Sequence, residues 1–302
     1  MGFILKLIIA LVIAGMIYSW FRRGGGRRVA VGRDGRSSSP ELQSQLIRGL
    51  TESGADVVRV GLGPTPMLYY AEAELDVDGG IMITGSHNPA DYNGFKMVFF
   101  GRAFFGADIK TLGAMAAAGD WDNGHGSVTD ETVIDRYVAR LMQNFDGAAY
   151  RIGWDAGNGA AGPALELLLG TLPGEHHALY TNIDSRFPNH HPDPTEEANL
   201  ADLKALVAEK HLDFGIAFDG DGDRIGAVDG EDGEQLIAPD HPALAVHCAD
   251  PVAVAVEGDA EVELPVGDQR LEVGEVGLDR RVGVMVREGA IHVGVDREML
   301  AR

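Results

Sequence analysis

Apolar residues in this chain come in short runs, separated by stretches with helical spacing. The β-branched segments VAVG (29–32), ADVVRV (55–60) and GIMIT (80–84) read as buried strands. Between the first two, residues 40–50 open on a proline suited to a first helical turn. Helical periodicity recurs over 109–118 and 132–142. A second unit starts at RIGWDAGNGAAG (151–162), a strand running into a glycine-rich turn, followed by the helix-like PALELLLG. It continues through a helix over 199–211 and the strand FGIAF (214–218). Strands alternating with helices predict an α/β fold: two consecutive α/β/α domains with mainly parallel sheets, dividing near residue 149.

Both ends break this pattern. Residues 3–20 (FILKLIIALVIAGMIYSW) are nearly all apolar, with Lys6 close enough to the end to snorkel. No A-x-A cleavage site follows, and FRRGGGRR reads as a stop and a flexible tether. The expectation is a membrane-anchor-like helix and basic tether over 1–27, its arginines on the cytoplasmic side; a buried helix is the rival reading. After Phe218 the last 84 residues hold no aromatic, although 21 precede them, and no lysine follows Lys210. Segments such as VAVAVEG, EVELPVG and VGVMVREG predict a small, β-like C-terminal tail. The expected boundaries are therefore 28–149 and 150–240 for the two domains and 241–302 for an unassigned tail.

Composition narrows the function classes. At 302 residues, 45% apolar and 24% charged, the chain is globular and long enough for two domains. A net charge of −21 argues against nucleic acid as partner. The single Cys248 excludes an intramolecular disulfide and a cysteine zinc cluster, which suits the cytoplasm. Nothing in the sequence points to a protein partner.

Two loops carry candidate chemistry. In TGSHNPADYNGFK (84–96), Ser86 follows a predicted strand, where parallel sheets place ligands. His87 could move protons near neutral pH, and Lys96 could hold a phosphate as a point charge. In FDGDGDR (218–224), Asp219, Asp221 and Asp223 alternate with glycines, a hard-oxygen set suited to Mg²⁺. An EF-hand is excluded, because its sixth position would be Arg224 and its twelfth Gly230. GRDGRSSSP (32–40) sets Arg33 and Arg36 beside a helix start, either as an anion cradle or as a surface turn. NHHPDP (189–194) could bind metal or form a structured connection between domains, and GLGPTP (61–66) reads as a turn before a helix. A loop hydroxyl, basic residues and a Mg²⁺ site together point to phosphoryl chemistry.

The motifs TGSHNP, DYNGFK, GPTP, DAGNG (155–159), FPNHHPDP (187–194) and DGDGDR (219–224) occur in this order and resemble those of the α-D-phosphohexomutases. Within that family, TGSHNP and NHHPDP are most similar to the bacterial phosphomannomutase/phosphoglucomutase group. The resemblance covers roughly 28–230. It implies a hexose phosphate substrate, a phosphorylated Ser86 and hexose 1,6-bisphosphate as activator and intermediate. By the same resemblance Mg²⁺ would be held by Asp219, Asp221, Asp223 and an oxygen of the phosphorylated Ser86. His87, Lys96 and Arg224 would sit around the transferring group, with His87 or Lys96 assisting proton transfer. Arg33 and Arg36 join Arg224 as substrate-binding candidates through the anion-cradle reading of GRDGRSSSP. The family's Y-D-I-R-G segment, its G-E-M-S-G-H sugar loop and its R-x-S-N-T phosphate loop have no counterpart here. The resemblance therefore implies an enzyme incomplete as a lone chain. A catalytically defective, membrane-tethered protein binding Mg²⁺ and sugar phosphate is the alternative expectation. For the tail, a shifted reading frame beyond GEQLIAPDH (233–241) and a fused β module stand side by side.

Overall fold

The structure is a computed structural model. It describes residues 3–120, 122–143, 145, 147–230, 282–287 and 290–295, with the backbone alone at 3–12, 116–117 and the last two segments. Two α/β/α domains follow one another, as the strand–helix alternation predicts.

The first domain begins with helix α1 (Phe3–Arg23) and is built on a six-stranded sheet. Its strands are β1 (Arg28–Arg33), β2 (Asp56–Leu62), β3 (Gly79–Thr84), β4 (Gly94–Phe99), β5 (Arg102–Ala103) and β6 (Val128–Asp130). They lie in the order β5-β4-β3-β1-β2-β6, and β4 alone runs against the others. All six residues of β3 are buried, so its apolar run has no polar face to show. Helices α2 (Ser39–Ser53), α3 (Thr65–Glu74), α4 (Ala107–Ala118) and α5 (Ile134–Met142) complete the layers. Leu42, Leu46 and Leu50 recur along one stripe of α2 and face the core.

The second domain has a four-stranded sheet ordered β10-β9-β7-β8. It comprises β7 (Tyr150–Asp155), β8 (Gly174–Leu179), β9 (Phe214–Phe218) and the antiparallel β10 (Ile225–Asp229). Helix α6 (Gly162–Leu169) packs on one face through Leu165, and α7 (Ala201–Lys210) on the other through Leu203 and Val207. Five strands escape the sequence pattern: β4, β5 and β6 in the first domain, β8 and β10 in the second. Of the tail, β11 (Val282–Arg287) and β12 (Ala290–Val295) pair as an antiparallel hairpin. The rest of the expected tail, with GEQLIAPDH, lies outside the described residues.

The membrane anchor expected at 3–20 is corrected by the packing of α1. Among the described residues no helix is long and apolar enough to cross a membrane. Ala14, Ile17, Tyr18 and Phe21 are buried in the same core as Leu46 and Leu50 of α2. The Phe21 ring lies 5.0 Å from that of Phe99 and stacks on Phe100. Polar groups of the same helix are tied to the domain: the Tyr18 hydroxyl donates to the Gly54 carbonyl at 2.8 Å, and Arg22 pairs with Asp122 at 3.0 Å. An apolar run that serves as a buried core helix looks the same in sequence as one that spans lipid. FRRGGGRR is likewise not a flexible tether but a helix terminus. Gly25 takes φ +98°, and a Cβ on Gly26 would stand 2.3 Å from the Phe21 ring. With α1 in the core, the membrane-tethered alternative loses its support.

This assignment has a measurable consequence. Phe21→Ala should lower unfolding stability by about 3–5 kcal/mol, the range for deleting a buried phenylalanine side chain. A urea midpoint unmoved by the substitution would return α1 to the role of an appended helix.

Candidate functional site

The serine loop, 85–93, joins β3 to β4. Ser86 sits at φ +48°, a left-handed conformation uncommon for serine, and its N–H donates to Thr84 Oγ1 at 2.8 Å. The turn is held from below by Arg36. A Cβ on Gly85 would lie 2.3 Å from Arg36 Cζ, so only glycine fits there. The hairpin pairing of β3 with β4 sets Lys96 opposite Met82, bringing its ammonium back toward the serine turn.

The second loop, 219–224, joins β9 to β10. Asp219 Oδ1 accepts the backbone N–H groups of Asp223 and Arg224, each at 3.1 Å. Its Oδ2 accepts the Ser86 hydroxyl at 3.1 Å, across 133 residues and from one domain to the other. Asp221 Oδ2 accepts Lys96 Nζ at 2.9 Å and Thr65 Oγ1 at 2.5 Å, and Asp223 Oδ2 also pairs with Lys96. The structure thus brings Ser86, Lys96 and all three aspartates to the domain junction.

Electrostatics at this point is unbalanced. Burial, and then the neighbouring Asp221 and Asp223, raise the Asp219 pKa well above the usual carboxylate range. Burial and Asp221 raise that of Asp223. Burial works against the Lys96 ammonium too, but Asp221, Asp223 and Asp219 outweigh it and its pKa ends raised. One carboxylate oxygen from each aspartate lies within 4.8 Å of the others, and Asp221 Oδ1 is buried with no hydrogen-bond partner. Three hard oxygen donors, one of them orphaned in a low-dielectric setting, fit a divalent cation.

The remaining expected residues have other surroundings. Arg224 Nη1 donates to His87 Nδ1 at 2.8 Å, so His87 is joined to Arg224 rather than to Ser86. Burial and then the Arg224 charge lower the His87 pKa, which keeps the ring neutral, with its proton on Nε2. Arg33 ends β1 half-buried, donating to the Asp34 carbonyl at 3.2 Å, and burial lowers its pKa. Arg36 does not serve as the anion cradle expected of it. Its side chain is 1% exposed and its donors are taken by Asp34 and by loop carbonyls, which leaves none for a ligand.

Sequence reasoning missed three contributors. Thr65, read as part of a turn, ties the first domain to Asp221 through both its hydroxyl and its N–H. Asp34 stands between two arginines in GRDGR, which was the available signal for a buried ion pair. His190 of NHHPDP bonds Asp155 Oδ2 through Nε2 at 2.9 Å and the His191 carbonyl through Nδ1, also at 2.9 Å. Both ring nitrogens are engaged, so NHHPDP is a structured clasp on the DAGNG turn rather than a metal ligand.

This clasp is pH-dependent. Burial pushes the His190 pKa down, but the bonds to Asp155 and the His191 carbonyl, with the charges of Asp155 and Asp202, push it further up. A raised folded-state pKa contributes stability that is complete below about pH 6.5 and is lost as pH rises through the folded value. His190→Asn should therefore cost about 2 kcal/mol, and more near pH 6 than near pH 9. Equal losses at the two pH values in urea titrations would remove the charged clasp.

A two-domain α/β/α protein with a hydroxyl from one domain set against a carboxylate cluster from the other is the class that fold and site define. Family models for phosphoglucomutase/phosphomannomutase alpha/beta/alpha domains I and II match residues 5–118 and 135–233, and the chain belongs to that family. The first match begins inside α1, in accord with its place in the domain core. A phosphomannomutase/phosphoglucomutase of Pseudomonas syringae pv. tomato is 47% identical over 201 residues, covering 66% of this chain and 43% of the relative. A Neisseria gonorrhoeae phosphoglucomutase is 42% identical over 223 residues, covering 73% and 48%. Among solved structures, a Burkholderia thailandensis phosphoglucomutase/phosphomannomutase family protein superposes with a TM-score of 0.73 at 42% identity, over 76% of this chain and 52% of that one. The chain spans about half the length of the relatives it matches.

Proposed function

We propose that this chain carries the phosphoryl-relay half of a hexose-phosphate mutase that interconverts hexose 1-phosphate and hexose 6-phosphate. The observation that carries the reading is the Ser86 hydroxyl bonded to Asp219 Oδ2, at the edge of a three-carboxylate cluster contributed by the other domain. Ser86 Oγ would form a new P–O bond to a phosphoryl group of hexose 1,6-bisphosphate as the sugar's own O–P bond breaks. The hydroxyl proton is already directed at Asp219 Oδ2. In the reverse sense, the phosphorylated Ser86 would pass its group to the other sugar oxygen. Glucose and mannose phosphates are the substrate class, as the names of the relatives indicate.

Asp219, Asp221 and Asp223, with an oxygen on Ser86, would hold Mg²⁺. Bound there, the ion would neutralise charge gathering on the transferring group. Lys96 supplies positive charge beside the same carboxylates, and the neutral His87 offers a hydrogen-bond donor at Nε2. Arg224 fixes that tautomer, and with Arg33 it is the remaining candidate for contact with substrate. Remote contacts raise the rate by positioning the reacting centre, so the test looks at the first half-reaction alone. The chain is incubated with glucose 1,6-bisphosphate and Mg²⁺, and its intact mass and Ser86 peptide are read. Gain of one phosphoryl group on Ser86 is the expected result; an unmodified chain at saturating bisphosphate would overturn the relay.

A further inference from the structure

We infer that Asp34 and Arg36 form a buried clamp that positions Ser86, making both of them positioning residues; this rests on the phosphoryl-relay reading of Ser86. The guanidinium of Arg36 has five N–H donors, and all five are spent. Nε donates to Asp34 Oδ2 at 3.0 Å. Nη2 donates to the carbonyls of Ser86 and Asn88, both at 2.7 Å, and Nη1 to those of Pro89 and Tyr92. Four carbonyls from one seven-residue stretch thus converge on a single cation. Without it four carbonyl dipoles would converge with no cation between them and the loop would open.

Asp34 completes the device. Its Oδ2 also accepts the N–H of Gly85 at 3.1 Å, and its Oδ1 accepts the Arg36 N–H and the Ser39 hydroxyl. One ion pair therefore fixes the chain from the residue before Ser86 to Tyr92. Phe187, from the second domain, lies against the guanidinium with its ring centroid 5.5 Å from Cζ. The clamp accordingly touches the domain that carries Asp219. The guanidinium fork offers four Nη donors for the four carbonyls, whereas a lysine ammonium is a point charge with three donors.

The experiment uses the full chain with Arg36→Lys, and two readings. The first is the rate of Ser86 phosphorylation by glucose 1,6-bisphosphate as its concentration is varied. The saturated rate should fall about 100-fold while the half-saturating concentration stays within about threefold, since misplacing a reacting group acts on the chemical step. The second reading is amide hydrogen exchange. Gly85, Ser86, Asn88 and Tyr92 should exchange about tenfold faster or more, with strand β7 unchanged. A raised half-saturating concentration with an unchanged saturated rate would make Arg36 a substrate ligand and overturn the clamp. So would unaltered exchange in the serine loop. Failure of the wild-type chain to take up phosphate would sink the relay, and loop exchange would still decide for or against the clamp. Should Arg36→Lys lose its native circular dichroism, Asp34→Asn gives the same two readings with the same expected signs.

Discussion

Alanine at position 86 is expected to abolish phosphoryl uptake from hexose 1,6-bisphosphate, a loss on the order of 10⁴-fold or more, as for other removed nucleophiles. Around this position the described site holds two carboxylates bound to Lys96, a third fixed by backbone amides, and a histidine joined to Arg224. The two other hydroxyls at hand are engaged elsewhere: Thr65 Oγ1 donates to Asp221 Oδ2 and Thr84 Oγ1 accepts the Ser86 N–H, so neither takes the serine's place against Asp219. The fold should survive the change. Serine already occupies the left-handed backbone at φ +48°, so alanine adds little to a strain of about 1–2 kcal/mol that is present anyway. Asp219 keeps its two backbone donors at Oδ1 after losing the Ser86 hydroxyl at Oδ2. Intact mass after incubation with the bisphosphate separates the possibilities. If the alanine chain gains a phosphoryl group as the wild type does, the acceptor is another residue and the relay fails.

What the sequence disclosed, and what it withheld, divides along physical lines. Strands β1 and β3 are legible because helices cover both sheet faces and leave nearly continuous apolar runs, and β2 because valines flank its one exposed arginine, Arg59. The edge strand β8, GEHHAL, is polar and largely exposed, and offers no run to find. Strands β4 and β10 were missed because each returns antiparallel from a functional loop. Their half-buried residues look like continuations of TGSHNP and DGDGDR. The anchor expected at 3–20 failed for a related reason: hydropathy reports that a segment avoids water, not whether lipid or α2 shields it. The serine and aspartate loops were visible from residue type and spacing, since their chemistry is local to each motif. Arg36 was singled out for a different role, because its partners are carbonyl oxygens about 50 residues away that no side-chain pattern records.

The carboxylate cluster and Lys96 yield the second large effect. Lys96→Met should destabilise the chain without divalent cation by about 3 kcal/mol. That is the low end for breaking a buried ion pair, because the Lys96 side chain keeps 27% exposure. The sign follows from charge count. Asp221 is fully buried, its Oδ1 has no partner, and Lys96 is the ammonium that two of the three aspartates share. Removing it leaves three acidic groups with Arg224 as the nearby cation. Because the Lys96 pKa lies above a lysine's ordinary 10.5, its contribution is complete throughout the neutral range. Cation binding should change in the opposite direction. The ammonium competes for Asp221 Oδ2 and Asp223 Oδ2, so its loss should tighten Mg²⁺ or Mn²⁺ binding. Since stabilisation by a ligand grows with its concentration over Kd, the added ion should restore much of the lost stability. Thermal unfolding of both chains, in chelator and over a Mg²⁺ titration, reads this directly. Wild type should melt higher in chelator, and the gap should narrow as Mg²⁺ rises. A gap of constant size would mean that the three aspartates hold no cation, whatever Lys96 contributes to the fold.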